Sequence, residues 1–231
     1  IESRIRSDAQ VLNTLPSLDQ TRYLKQVSEC ITISGLHCEF GVYRGYSMRL
    51  LSSYIGKETP IFGFDSFEGL PDSWNSRFPA GSFSLKGRIP SGPSHKVIRA
   101  TDAYNTDMHE VFESWAPNVY LIKGLVQSTL LPFLDKNSGP IAFAHMDLDI
   151  YSSTRYVLQN IAHRLSTGSI LAFDELLDYP TYKDHEIKAF AELLIENELY
   201  FEPLLYQNNR PSHRGAQEVA IKILRPSDKI R

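Results

Sequence analysis

The sequence predicts an α/β fold, a mostly parallel sheet with helices on both faces. Three observations carry this. Short runs rich in branched and aromatic residues alternate with segments whose apolar residues recur at helical spacing. Two of the apolar runs, 141–149 (IAFAHMDLD) and 170–175 (ILAFDE), end in clustered acids, as strands do where an open α/β sheet receives ligands. The chain has 231 residues, 42% hydrophobic and 22% charged, enough for one well-buried domain over 1–231.

Residues 1–34 read as an N-terminal helical segment, in which Leu18, Leu24 and Val27 share a face. Residues 37–42 form a first strand and 47–55 a helix. The second strand is 61–65, the third 119–123, and the acid-ended runs are the fourth and fifth. Val157, Leu158, Ile161 and Leu165 give a helix between those two, and Ile187, Phe190, Ala191 and Leu194 give one after them. Strands 199–206 and 218–224 close the sheet, joined by a polar loop, 207–217. Alternating β and α segments require a mostly parallel sheet. Residues 66–97 break the rhythm. Rich in Gly, Pro and Ser, and carrying Trp74, Phe78 and Phe83, they read as a lid or substrate loop over the acids, with plain disorder as the alternative.

The totals exclude several classes. A net charge of −3 without a basic block points away from nucleic acid and anionic membranes. No apolar run approaches the roughly 20 residues of a membrane span. The chain opens at Ile1 without a signal-like charged-then-apolar segment. Cys30 and Cys38 are expected to be free thiols in a reducing, cytoplasmic setting. Residues 1–30 are the candidate contact for a homodimer.

The segment Glu39-Phe-Gly41-Val-Tyr43-Arg-Gly45-Tyr-Ser47 leaves the first strand and opens a helix. Gly41 and Gly45 permit a tight turn and close backbone approach to a ligand. The spacing is G-x-x-x-G rather than the G-x-G-x-x-G of dinucleotide sites. Asp65 ends the second strand, where a carboxylate suits ribose hydroxyls. Glu39 disfavours pyrophosphate and suits a cationic amino-acid tail, as in S-adenosylmethionine. The plain alternative is two turn glycines with Asp65 capping at Asp65-Ser66.

Asp147, Asp149, Asp174 and Glu175 stand at two strand ends. Two like charges about 4 Å apart repel by roughly 4 kcal/mol at an effective dielectric near 20. A bound divalent cation relieves this, and all-oxygen ligands favour Mg²⁺, Ca²⁺ or Mn²⁺ over Zn²⁺. Alternatively, Asp147 and Asp149 cap the helix starting near Ser152, and Asp174 and Glu175 are solvated loop residues.

Taken together, E-F-G-V-Y-x-G-x-S, F-D-S-F-E-G-L-P at 64–71, K-G at 123–124, M-D-L-D-x-Y-x-S-T at 146–154 and F-D-E at 173–175 resemble the macrocin O-methyltransferase family. The resemblance runs from about Glu39 to Phe190. It implies a Rossmann-like class I methyltransferase with a seven-stranded sheet ordered 3-2-1-4-5-7-6, its last strand antiparallel. It also implies S-adenosylmethionine as methyl donor, frequent dependence on Mg²⁺, and a hydroxylated sugar or natural product as acceptor. Carried over, Glu39, Gly41, Tyr43, Gly45 and Ser47 surround the methionine and ribose end. Asp65, with Ser66, meets the ribose, while Leu125, Val126 and Gln127 frame the adenine. Asp147, Asp174 and Glu175 become metal ligands, with Asp149 beside or instead of Asp147.

Two positions depart from related catechol-type enzymes. Ile150 stands where a catalytic lysine is common, and Glu175 where Asn or Asp is usual. The general base therefore falls to Asp149 or Asp147, with His145 and His185 as second choices. Strand alternation puts His145 on the same side as Asp147, with a satisfied core or cofactor-stacking histidine as the alternative. Tyr151, Trp74 and Phe78 are candidates to line the acceptor pocket. The leading expectation is a metal-assisted O-methyltransferase of small molecules. The alternatives are the same fold with another outcome, N-methylation or hydroxylation, and a non-catalytic S-adenosylmethionine-binding protein.

Overall fold

The computed structural model describes residues 1–13, 19–90, 94–99, 110–113, 116–208 and 217–226. In chain order its elements are α1 (Glu2–Asp8), β1 (Gln10–Asn13), α2 (Asp19–Glu29), β2 (Leu36–Phe40), α3 (Tyr46–Ile55), β3 (Ile61–Asp65), β4 (Ser94–Arg99) and β5 (Glu110–Glu113), then β6 (Val119–Lys123), α4 (Val126–Lys136), β7 (Ile141–Met146), α5 (Tyr151–Ile161), β8 (Ile170–Leu177), α6 (Glu186–Glu196), β9 (Tyr200–Asn208) and β10 (Gln217–Leu224).

The ten strands form one sheet in the order β1-β9-β10-β8-β7-β2-β3-β6-β4-β5. The seven expected strands occupy its middle in the expected order, and β10 runs antiparallel to both β8 and β9. The expected count of seven is corrected by three short strands at the edges. β1 pairs parallel with β9, β4 parallel with β6, and β5 antiparallel with β4. β1 also interrupts the N-terminal segment read as helical. Four residues pairing along an existing edge carry too little periodicity to announce a strand.

Every residue of β7 and β8 is buried, so these strands read as continuous apolar runs rather than alternating ones. Two cores result, one per face. On one, Leu130 and Phe133 of α4, Val157 and Leu158 of α5 and Phe190 of α6 pack on Phe40, Phe64 and Phe173. On the other, Tyr23, Leu24 and Val27 of α2 and Met48 and Leu51 of α3 pack on Ile61, Leu121 and Phe143. Leu18 lies outside the described residues, as do 91–93 of the expected lid and 209–216 of the polar loop.

α4 was not apparent from periodicity, because Pro132 stands inside it. Among the described residues no helix is long and apolar enough to cross a membrane. Both cysteines are free thiols, with Cys38 buried. Ile5, Leu24 and Val27 of the N-terminal segment are buried against the chain's own strands.

β2 lies between β3 and β7, both parallel to it. From β2 the chain winds outward through β3 to β6, and from β7 it winds the opposite way to β8. The gap beyond the carboxyl ends of β2 and β7 is the topological switch point, where open α/β sheets receive ligands.

Candidate active site

A cleft of about 320 Å³ opens at that switch point. One wall is the turn after β2. Gly41 has φ +91° and Gly45 φ +71°, and Tyr43 between them also has positive φ, at 47°. A Cβ on Gly41 would lie 1.7 Å from the carbonyl oxygen of Asp147, so only glycine fits there. Asp65 fastens the turn. Its Oδ2 accepts the backbone N–H of Val42 at 2.8 Å and of Tyr43 at 2.7 Å, and its Oδ1 accepts that of Phe67 at 2.6 Å. Asp65 thus ties the turn to β3 besides lining the cleft. Gly41, Tyr43, Ser47, Asp65 and Ser66 all line it, and so do Leu125, Val126 and Gln127 after β6.

Glu39 lies one layer deeper. It is fully buried and is not among the lining residues. Its Oε1 accepts the hydroxyl of Ser47, which does line the cleft, and lies 3.6 Å from Nδ1 of His145. His145 is likewise fully buried, its strand position directly opposite Glu39 in the register. Its place is beneath the turn, away from the lining of the cleft.

The acids come together. One carboxylate oxygen each from Asp147, Asp149 and Glu175 lies within 4.8 Å of the others. Asp174 lines the same cleft, outside that trio. β7 ends at Met146, and Asp149 takes positive φ, 60°, which Asp tolerates better than most residues. Asp149, Asp174 and Glu175 are 8%, 3% and 2% exposed, so water screens them poorly. Burial, then the charges of Asp174 and Asp65, pushes the Asp149 carboxyl up to about 7. Burial also holds Glu175 well above the usual carboxylate range, reinforced by Asp174, Asp149 and Asp147.

A fifth acid was not singled out from sequence. Glu186 is fully buried, and its Oε2 accepts the backbone N–H of Glu175 at 3.3 Å. Burial first, then Asp174 and Asp149, raises its carboxyl too. In the sequence it is an ordinary first-turn helix acid. Oε2 of Glu175 and Oε1 of Glu186 are buried without a hydrogen-bond partner. Such oxygens are costly to leave unmet.

The segment after β3 carries a layer of stacked aromatic rings. Trp74 stacks on Phe78 with ring centroids 5.2 Å apart, and Phe78 on Phe83 at 5.1 Å. Trp74 also packs with Ile150 and Tyr179. Ile150, at the lysine position of catechol-type enzymes, is therefore a core residue beneath this layer. Of these rings Phe83 reaches the cleft, while Trp74 and Phe78 pack behind it. His185 stands at the N-terminus of α6 beside Tyr179, with centroids 6.1 Å apart, and does not line the cleft. Tyr151 points elsewhere, donating its hydroxyl to Oε2 of Glu192 at 2.7 Å.

The sequence family described as Macrocin-O-methyltransferase (TylF) matches residues 17–193. No curated protein matches the chain. Among solved structures, CalS11, a calicheamicin methyltransferase, aligns with TM-score 0.59 and 23% identity over 87% of this chain and 77% of its own. The O-methyltransferase NovP aligns with TM-score 0.57 and 18% identity over 89% and 79%. An O-methyltransferase from Bacillus cereus, solved with SAH, aligns with TM-score 0.55 and 13% identity over 91% and 82%. At these identities the structures establish a shared fold; the family match, which spans well over half of the sequence, goes further. The chain belongs to the macrocin O-methyltransferase family and is an S-adenosylmethionine-dependent O-methyltransferase.

Proposed function

We propose that this enzyme methylates a hydroxyl of a sugar-like or other natural-product acceptor, with a hard divalent cation held by Asp147, Asp149 and Glu175. The convergence of three carboxylate oxygens within 4.8 Å, those of Asp149 and Glu175 on buried residues, in a cleft walled by the turn after β2, carries the reading. At that separation two unit charges repel by roughly 3–4 kcal/mol at an effective dielectric near 20. The unpartnered Oε2 of Glu175 and the all-oxygen donor set suit Mg²⁺, Mn²⁺ or Ca²⁺. Such an ion, when bound, supplies Lewis acidity that favours loss of a hydroxyl proton.

S-adenosylmethionine supplies the methyl group on a sulfonium. The turn from Gly41 to Ser47 holds its methionine end, Asp65 and Ser66 its ribose, and Leu125, Val126 and Gln127 its adenine. Glu39 and His145 sit behind the turn and position Ser47. The acceptor enters between this wall and the acids, so that its oxygen faces the methyl carbon opposite the sulfur. Fixing that alignment supplies roughly 7–11 kcal/mol of the barrier. Asp149 takes the hydroxyl proton on its carboxylate. Of the segment expected as a lid, residues 66–90 cover the cleft, since its end from Ser94 is strand β4 of the sheet. Gly69, Leu70, Pro71 and Phe83 of that segment line the cleft and exclude water from the reacting oxygen.

The test is turnover. Nucleotide sugars and glycosides are incubated with S-adenosylmethionine and release of S-adenosylhomocysteine is followed. Turnover of one or more acceptors should fall with EDTA and return with Mg²⁺. Turnover indifferent to EDTA, and kept in Glu175→Ala, would sink the metal role.

A further inference from the structure

Glu186 is a buried acid that neither lines the cleft nor belongs to the trio of converging carboxylates. It opens α6, with His185 as its N-cap, and is 0% exposed. An acid in a first helical turn ordinarily gains from the helix dipole while staying in water. This one has given up water, and acids are rarely buried unless something meets them. Its Oε2 accepts the backbone N–H of Glu175 at 3.3 Å. Its Oε1 has no hydrogen-bond partner among the described residues, and neither has Oε2 of Glu175. Packing alone does not call for two such oxygens.

The place of that bond matters. β7 ends at Met146, opposite Phe173, while β8 runs on to Leu177. Asp174 and Glu175 therefore lie beyond the last residue pair that joins β8 to β7, and Glu186 brings an acceptor to this stretch from outside the sheet. The start of α6 is itself held. In the connection 178–185, Oδ2 of Asp178 accepts the Tyr206 hydroxyl at 2.6 Å and an N–H of Arg6 at 3.3 Å, and Tyr182 donates its hydroxyl to Oε2 of Glu2 at 2.8 Å. The N–H of Ala189 then closes the first turn of α6 on the carbonyl of His185 at 3.1 Å.

Ligands of a cation keep their aim through partners behind them. Asp147 is tied by its own N–H to the carbonyl of Phe40 at 2.8 Å, and for Glu175 the tie is Glu186. We propose that Glu186 is a positioning residue: by holding the backbone N–H of Glu175 it sets that carboxylate in the trio with Asp147 and Asp149. The inference rests on the cation reading of the trio.

Calorimetric titration of MgCl₂ into chelator-treated protein tests it, with S-adenosylhomocysteine titrated separately. Glu186→Ala should weaken Mg²⁺ about ten-fold or more and leave S-adenosylhomocysteine affinity unchanged. Glu186→Gln keeps an acceptor at full reach and should bind Mg²⁺ within about three-fold of wild type. Glu186→Asp keeps the charge but is one methylene short, and should weaken Mg²⁺ as Glu186→Ala does. Wild-type Mg²⁺ affinity in both Glu186→Ala and Glu186→Asp would overturn the assignment. Wild-type affinity in Glu186→Asp with loss in Glu186→Gln would overturn it as well, since charge rather than reach would then matter. So would equal loss of Mg²⁺ and S-adenosylhomocysteine in Glu186→Ala and Glu186→Gln, the mark of a residue that only supports the fold. A wild-type protein that binds none of Mg²⁺, Mn²⁺ or Ca²⁺ would overturn the cation reading itself.

Discussion

The α-carbon of Gly41 lies against the backbone carbonyl of Asp147, so closely that a Cβ would meet that oxygen at 1.7 Å. The N–H of Asp147 in turn donates to the carbonyl of Phe40 at 2.8 Å. The turn after β2 and the first of the acids therefore share one piece of backbone. Displacing either moves both.

Gly41→Ala should accordingly damage both halves. The added methyl collides with backbone, which cannot swing aside, and φ of +91° is strained for any L side chain. A loss of about 3 kcal/mol or more in urea unfolding is expected, with loss of S-adenosylhomocysteine binding. Stability equal to wild type would show that the two segments are not in contact.

Asp65→Asn keeps the shape of the side chain and removes its charge. Asp65 holds three backbone amides, from Val42, Tyr43 and Phe67. Charge-assisted bonds of this kind contribute about 1.5–3 kcal/mol each, so the turn should loosen. S-adenosylhomocysteine affinity is expected to fall about ten-fold, measured by calorimetry. An unchanged affinity would argue that Asp65 neither shapes the turn nor meets the ribose.

The acids should oppose folding when no cation is present. Asp149→Asn removes one charge from the trio and should raise the melting temperature of chelator-treated protein by a few degrees. The same variant should lose the stabilisation that Mg²⁺ gives the wild type. A metal-free variant that melts below the wild type would contradict the electrostatic reading.

pH supplies an independent check. Burial and neighbouring charge raise the folded-state Asp149 carboxyl to about 7, against an ordinary value of 3.8. A carboxyl raised on folding favours the protonated native state. Its penalty is absent below the unfolded value, grows as pH rises, and is complete above the folded value. Metal-free protein should therefore lose stability between about pH 4 and pH 7, and Asp149→Asn should lose less over the same window. Thermal melts across that range decide it. Parallel profiles for the two proteins would remove Asp149 from the account.

Much of the site was legible because buried strands are apolar and acids interrupt them abruptly. Asp147, Asp174 and Glu175 stand out against IAFAHM and ILAF for that reason. The same contrast misleads one layer down. Glu39 reads from sequence as facing the ligand and His145 as either a base or a core histidine, and both are fully buried beneath the turn, because alternation along a strand does not reveal how deep a residue lies. Glu186 was invisible for a tertiary reason. An acid in the first turn of an amphipathic helix is normally solvated, and only the packing of α6 against β8 buries this one. The sheet order came from family resemblance. The edge strands β1, β4 and β5 depend on pairing partners that no local pattern specifies.

The most direct test of the metal-assisted site is a calorimetric titration of MgCl₂ into chelator-treated protein saturated with S-adenosylhomocysteine, repeated with Asp149→Ala and Glu175→Ala. The expected result is saturable binding of one ion per wild-type chain, abolished in both variants while S-adenosylhomocysteine still binds. Absence of Mg²⁺, Mn²⁺ or Ca²⁺ binding to the wild type, or wild-type affinity in both variants, would contradict it.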